Sequence, residues 1–358
     1  MSFTYNGLPS RVIFGQGTLS RVAKEVEALG CHRVLVLSTP GQEGRAREVL
    51  SQLGHLGAEV FAGARMHTPV KTTEEAMYVL ASLDADGVVA IGGGSTIGLG
   101  KAIALRTDLP QIAIPTTYAG SEMTPILGET KDGIKTTQRT VKVLPETVIY
   151  DVNLTLGLPI GMSGISGINA IAHAVEALYA KDRNPIVSWM AEEGIAALAR
   201  SLPKIAATPT DVAARADALY GAWLCGACLG AVEMSLHHKL CHTLGGSFDL
   251  PHAETHAVVL PHVVAYNAEA APEAMMRIAR ALVANDAAGG LYDLAKALGA
   301  PLTLRDIGLK EKDIDRAMAI ATANPYWNPR KIEANGIRRL LNNAYTGLRP
   351  KAMEYIDR

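Results

Sequence analysis

Three histidines fall close together in the chain, His238-x3-His242-x9-His252, and a fourth, His173, lies upstream. Imidazoles at this density can bind a transition metal, stabilise an oxyanion or move a proton near neutral pH. His238 and His242 are spaced to share one face of a helix. Asn169 stands one helical turn before His173, on the same face, where a carboxylate would complete a metal site. An amide oxygen is neutral and a weaker ligand than a carboxylate, so the set predicts weak or absent metal binding and no required metal. His237, His256 and His262 have no partner defined by spacing and read as hydrogen-bonded core residues. Cys225-x2-Cys228 stands without a second pair in an apolar helical run, which points to buried packing thiols.

A second constellation lies earlier. Gly92-Gly93-Gly94-Ser95 follows an apolar strand and opens a helix. Glycines let a backbone approach a pyrophosphate, and a helix N-terminus offers N–H groups and a positive dipole end. The next strand ends in Pro115-Thr116-Thr117, followed by Gly120-Ser121, at the carboxyl edge where an open α/β sheet holds its ligand. The expected cofactor contacts are Ser38, Gly93, Gly94, Ser95, Thr116, Thr117 and Ser121. Neither G-x-G-x-x-G nor the ATP-binding G-x4-G-K-[ST] is present, and Lys101 lies too far along the helix to act as the lysine of the latter. The first clear strand runs out into Leu37-Ser38-Thr39-Pro40-Gly41, with no carboxylate to repel a 2′-phosphate, so weak discrimination between NADH and NADPH is expected.

The elements that must carry these residues differ between the two halves. Short apolar runs at 33–38, 58–63, 87–94 and 111–117 alternate with amphipathic helical stretches, and 147–151 reads as a strand returning to the same sheet. That pattern predicts a parallel, doubly wound sheet covered on both faces. After about residue 155, Ala-, Leu- and Met-rich helical segments dominate and no strand signal recurs. Two domains are expected: an α/β dinucleotide-binding domain over 1–155 and an all-α domain over 156–358 that carries the histidines. A chain of 358 residues with 48 % hydrophobic and 19 % charged residues can build both cores. A net charge of −1 without a basic stripe argues against nucleic acid. The opening MSFTYNGLPSRVIFG lacks the pattern of a signal peptide, no apolar stretch suits a membrane span, and four cysteines fit a reducing cytoplasm.

Taken together, GGGS-x5-K, PTT-x2-GSE, N-x3-H and H-x3-H-x9-H resemble the iron-containing (group III) alcohol dehydrogenase family over essentially the whole chain. The resemblance implies the dehydroquinate synthase-like fold, NADH or NADPH as cofactor, and a homodimer. The family's metal ligands, an aspartate and three histidines, fall on Asn169, His173, His238 and His252. Its further active-site histidine falls on His242, and a lysine near the cofactor ribose on Lys135. Two positions depart: the ligand aspartate is Asn169, and the aspartate of GGGS-x2-D is Gly98. Both departures, with PTTYAGSEMTPILGETKDG and NPYWNPR, resemble the maleylacetate reductase branch. That likeness implies reduction of an unsaturated keto-dicarboxylate in the breakdown of aromatic compounds.

For such a reaction, hydride adds β to a ketone and an enolate oxygen develops. Histidine can stabilise that oxygen and return a proton to carbon. His242 is the expected proton donor, with His173, His238 and His252 binding the oxyanion or the carboxylates. Asn169, Lys239 and Arg330 are further expected substrate contacts. Three other readings stay open: a metal-dependent alcohol dehydrogenase or aldehyde reductase, a catalytically silent nucleotide-binding protein, and a carbocycle-forming lyase that uses NAD transiently.

Overall fold

The computed structural model describes residues 3–5, 7–8, 10–132 and 134–351, with the side chains of residues 134 and 135 outside the described set. The chain divides into two compact units, Gly7–Leu158 and Met1–Asn6 together with Pro159–Arg358.

Among the described residues the first unit holds eight strands: β1 (Arg11–Gly15), β2 (Val34–Leu37), β3 (Gly57–Phe61), β4 (Gly87–Gly92), β5 (Gln111–Pro115), β6 (Ile126–Lys131), β7 (Ile134–Arg139) and β8 (Thr147–Asp151). Its helices are α1 (Val22–Ala28), α2 (Glu43–Leu53), α3 (Val70–Ser82) and α4 (Gly94–Thr107). Six strands form one parallel sheet in the order β1-β8-β5-β4-β2-β3. The central strands β2, β4, β5 and β8 are buried along their whole length, which is why their sequences are continuous apolar runs. The chain steps from β2 outward to β3, returns across β2 to β4, and then proceeds the other way to β5. Strand order therefore reverses between β2 and β4, and the carboxyl ends of those strands flank the crevice where an open α/β sheet binds its ligand.

Two features escape the periodicity. β1 is an edge strand with only Ile13 buried, so it lacks the unbroken apolar signature. β6 and β7 form a separate antiparallel hairpin whose alternation is half polar.

The second unit is helical: α5 (Ile160–Tyr179), α6 (Pro185–Ala207), α7 (Val212–Ala231), α8 (Leu236–Phe248), α9 (His252–Asn267), α10 (Pro272–Ala281), α11 (Ala287–Ala297), α12 (Ile314–Ala323) and α13 (Ala334–Thr346). α5 is buried on every face from Ile168 to Tyr179 and packs against α6, α7 and α9, as the central helix of the unit. Polar residues on such a helix must find partners. α8 ends at Asp249 in the left-handed conformation (φ 55°), and Pro251 starts α9, so His252 is the first residue of the next helix. Among the described residues no single helix is long and apolar enough to cross a membrane.

Candidate active site

At the switch point of the sheet, the backbone builds the site. Gly92 lies at φ +154°, and a Cβ there would meet Thr96 Oγ1 at 2.5 Å, so the end of β4 requires glycine. Gly93 precedes the first turn of α4 and packs against Thr117, where a Cβ would come within 3.1 Å. Gly94, the first residue of α4, is exposed, and a Cβ on it would meet nothing within 4 Å. Ser95 follows in the same turn, half-buried. The open space over Gly94 lies where a helix N-terminus presents unpaired N–H groups, which suits a phosphate.

The neighbouring strand end is fixed by a residue whose role spacing alone did not show. Lys101, on the inner face of α4, is buried, and its Nζ donates to Ser121 O (2.5 Å), Thr124 O (2.7 Å), Thr124 Oγ1 (2.9 Å) and Ile126 O (3.0 Å). Burial pulls the ammonium down to about 7, opposed by the charge of Glu122, a buried carboxyl that accepts from Tyr150 Oη. Lys101 thus ties the segment carrying Ser121 to the helix that starts at the glycine turn. Gln42 completes the rim by pairing with Thr116, its Nε2 3.3 Å from Thr116 Oγ1, which links the segment after β2 to the end of β5. Gly98 is also explained: a Cβ there would collide with Thr68 Oγ1, so Thr68 fills the space an aspartate would need.

The expected cofactor contacts differ in exposure. Ser38 is fully buried, and its backbone N–H and carbonyl are spent on Phe61 and Ala64, so its side chain is closed to a ligand in this conformation. Thr39, Gly41 and Gln42, which follow it, hold the accessible positions at that strand end. Thr116 is buried against Gln42, whereas Thr117 and Ser121 stay partly exposed. Lys135 lies on β7 with its side chain outside the described residues.

In the second unit, side chains build the site. Asn169, His173 and Glu176 project from the buried core of α5. His173 Nδ1 lies 3.0 Å from His238 Nε2, and the two rings stack at 5.1 Å. On its far side, His238 Nδ1 lies 2.7 Å from Glu176 Oε2. Glu176 also accepts the backbone N–H of Ser235 (2.8 Å) and of His237 (2.7 Å), at the start of α8. Burial pushes the Glu176 carboxyl up, and those backbone donors oppose the shift. Burial pulls the His238 imidazole down to about 3, so the ring is neutral at pH 7 and the Glu176 contact is a hydrogen bond rather than an ion pair.

His242, one turn along α8, has its ring 6.1 Å from that of His238, and its Nδ1 lies 3.2 Å from Tyr326 Oη. Lys239 Nζ sits over the Tyr326 ring at 5.4 Å. His252 joins the group through His256, at 4.5 Å between ring centroids. Arg330 is not brought to this group: its guanidinium donates to Tyr266 O and lies 4.7 Å from the Tyr266 ring, toward the other end of α9 from His252. Glu176 and Tyr326 escaped the spacing argument. The signal for Glu176 was present, as a carboxylate one turn after His173 inside an otherwise apolar helix.

The donors admit a metal in part. Two imidazole nitrogens 3.0 Å apart are spaced like two ligands of one ion bound at about 2.1 Å. A carboxylate behind a histidine is the usual support of a ligand, and Asn169 Oδ1 is buried with no hydrogen-bond partner among the described residues. His173, His238, His252 and Asn169 thus fit a cation by donor type, although none of the four carries negative charge. A second cluster, His237, Cys241 and His256, is fully buried, with His237 Nε2 2.9 Å from His256 Nδ1 and Cys241 Sγ 3.6 Å from His237 Nε2. Metal on those atoms would leave His237 Nδ1 and His256 Nε2 as two buried N–H groups lacking acceptors, since neither nitrogen has a partner among the described residues. This cluster is a packed core group. Cys225 and Cys228 are likewise free, buried thiols whose pKa burial raises.

Residues 9–152 match the iron-containing alcohol dehydrogenase family, and residues 164–345 match the C-terminal part of the Fe-containing alcohol dehydrogenase family. The maleylacetate reductase of Rhizobium sp. (strain MTP-10005) is 58 % identical over 349 residues, covering 98 % of this chain and 99 % of that protein. The maleylacetate reductase of Sphingobium indicum is 59 % identical over 350 residues, with coverage of 98 % and 99 %. Among solved structures, the maleylacetate reductase from Agrobacterium tumefaciens superposes with a TM-score of 0.95 at 57 % identity, covering 98 % of this chain and all (100 %) of that one. Glycine turn, carboxylate-backed histidines and full-length likeness agree, and the chain belongs to the iron-containing alcohol dehydrogenase family.

Proposed function

We propose that the protein reduces the carbon–carbon double bond of maleylacetate, giving 3-oxoadipate, with NADH or NADPH as hydride donor, in the breakdown of aromatic compounds. The observation that carries this reading is the histidine array on α5, α8 and α9 with neutral Asn169 at the ligand position, in a chain alike over its full length to maleylacetate reductases. The phosphates of the cofactor lie at the start of α4, over Gly94, with Gly93, Ser95, Thr117 and Ser121 around them. Lys135 contributes near the ribose.

Hydride from the nicotinamide adds to the carbon β to the ketone. The π electrons move onto the ketone oxygen, which becomes an enolate. The α carbon then takes one proton, so each turnover consumes one reduced cofactor and one proton. His242 supplies that proton. Half-burial and the charge of Glu176 push the Tyr326 phenol up, so it stays a neutral hydroxyl whose oxygen accepts Nδ1–H of the protonated His242, which returns to neutral imidazole after the transfer and regains its proton from water. The proton that reaches carbon then leaves from the other ring nitrogen. Hydrogen bonds from the imidazole group stabilise the enolate oxygen, and Lys239 attracts a substrate carboxylate from its place beside Tyr326. A cation held by His173, His238, His252 and Asn169 would polarise the ketone oxygen. In our reading turnover does not require it.

Four unpaired buried thiols suit a reducing cytoplasm, and a homodimer is the assembly we expect. The test is cofactor oxidation, followed by absorbance, with maleylacetate as substrate. Turnover with maleylacetate and none with simple alcohols or aldehydes is the expected result. Alcohol oxidation that depends on added iron or zinc would establish the metal-dependent dehydrogenase instead.

A further inference from the structure

We propose that Glu176 is the positioning residue of the histidine array: a single buried carboxylate that starts α8 and fixes which nitrogen of His238 carries hydrogen. The proposal deepens the reduction proposed above, and its kinetic arm rests on that reading. Glu176 is 0 % exposed and spends both oxygens. Oε1 accepts His237 N–H, while Oε2 accepts Ser235 N–H and faces His238 Nδ1 at 2.7 Å. Backbone amides can only donate, so both oxygens are held as acceptors. The positive end of α8, a helix of 13 residues, favours the same charge distribution. In the ionised carboxylate, the form those backbone donors favour, the hydrogen between Glu176 and His238 sits on Nδ1. His238 Nε2 is then a lone pair, which accepts from His173 Nδ1 across 3.0 Å.

This arrangement does two jobs at once. It anchors α8 to α5 at the point where the histidines begin, and it sets the tautomer of His238, and through it that of His173, before substrate arrives. The neighbouring pair, His237 and His256, has no such anchor among the described residues: the rings meet each other at 2.9 Å, and one nitrogen of each lacks a partner there. Adjacent residues on one helix thus differ in whether a carboxylate dictates their chemistry.

The Glu176→Gln variant separates positioning from bulk. An amide keeps the shape but can accept on one side alone: its NH2 group faces either His237 N–H, or Ser235 N–H together with His238 Nδ1. Histidine-selective 15N NMR of the wild-type protein should show His238 with hydrogen on Nδ1, and Glu176→Gln should remove that fixed assignment, with the Nε2–H tautomer becoming populated. With maleylacetate, kcat should fall about 10- to 100-fold, the range for lost support behind a functional histidine, while KM for NADH stays unchanged. The double variant Glu176→Gln/His238→Asn should be no slower than His238→Asn alone, because the carboxylate acts through that ring. Hydrogen on Nε2 in the wild type overturns the proposal, as do fully additive losses in the double variant. The NMR result needs neither substrate nor a variant. If maleylacetate proves not to be the substrate, the tautomer still decides the role of Glu176.

Discussion

The glycine turn at the end of β4 and the histidine array on α5, α8 and α9 are both candidate sites, built on opposite principles. The first is backbone: its recognition groups are N–H donors at a helix start, and its residues are defined by what they lack. Gly94 leaves space above the helix, and Gly92 adopts a conformation other residues avoid. The second is side chain throughout, assembled from residues far apart in sequence and held by a carboxylate that no ligand need touch. A backbone site is robust to most substitutions and sensitive to added bulk. A side-chain site is sensitive to the loss of a single hydrogen bond, because each ring depends on the next.

That contrast can be broken at four points. The largest expected effect is at His242. His242→Ala should lower kcat with maleylacetate about a hundredfold or more, with NADH binding intact, as expected for loss of a general acid; wild-type turnover would remove His242 from the chemistry. Next is Lys101→Met, which leaves four oxygens, two of them on buried Thr124, without their donor. Urea unfolding should show a loss of about 2 kcal/mol, and KM for NADH should rise as the segment carrying Ser121 loosens. An unchanged midpoint would mean that the segment is held by other contacts.

Gly94→Ala probes the backbone site more selectively. The added methyl meets no protein atom within 4 Å, so folding should be preserved or slightly improved. The Kd for NADH, measured by fluorescence titration, should nonetheless rise about tenfold, or about 1.4 kcal/mol. Unaltered affinity would place the phosphates elsewhere. The smallest effect is at Cys241→Ser, in the core cluster beside the array. Turnover should change by no more than about fivefold, because a weak hydrogen bond contributes about 0.5–1 kcal/mol. A loss as large as that at His242 would mean that the core cluster takes part in catalysis.

The same contrast explains what could be read from the sequence. The parallel sheet, the helical second half and the glycine turn were legible because each is a local pattern: an apolar run, a helical period, a strand followed by Gly92-Gly93-Gly94. The grouping of His173 with His238 followed from spacing together with the family resemblance. The burial of Ser38 is not legible, because a strand end marks where a ligand sits but not which side chain faces it. Arg330 bonds the carbonyl of Tyr266, a long-range contact that a cation in a loop does not announce in the sequence. Glu176, Lys101 and Tyr326 act through contacts 20 or more residues away in sequence, which no local period encodes. A buried charge inside an apolar helix was the one available sign for Glu176 and Lys101.

The central claim is that a neutral, imidazole-lined site reduces an unsaturated keto-dicarboxylate without needing a metal. The direct measurement is NADH and NADPH oxidation with maleylacetate, on protein purified without chelator and again after dialysis against one, with metal content determined in both samples. The account predicts one cofactor oxidised per 3-oxoadipate formed, catalytic efficiencies with the two cofactors within about a thousandfold, and no loss of rate on chelation. Turnover that vanishes with the chelator and returns with stoichiometric iron or zinc would contradict it.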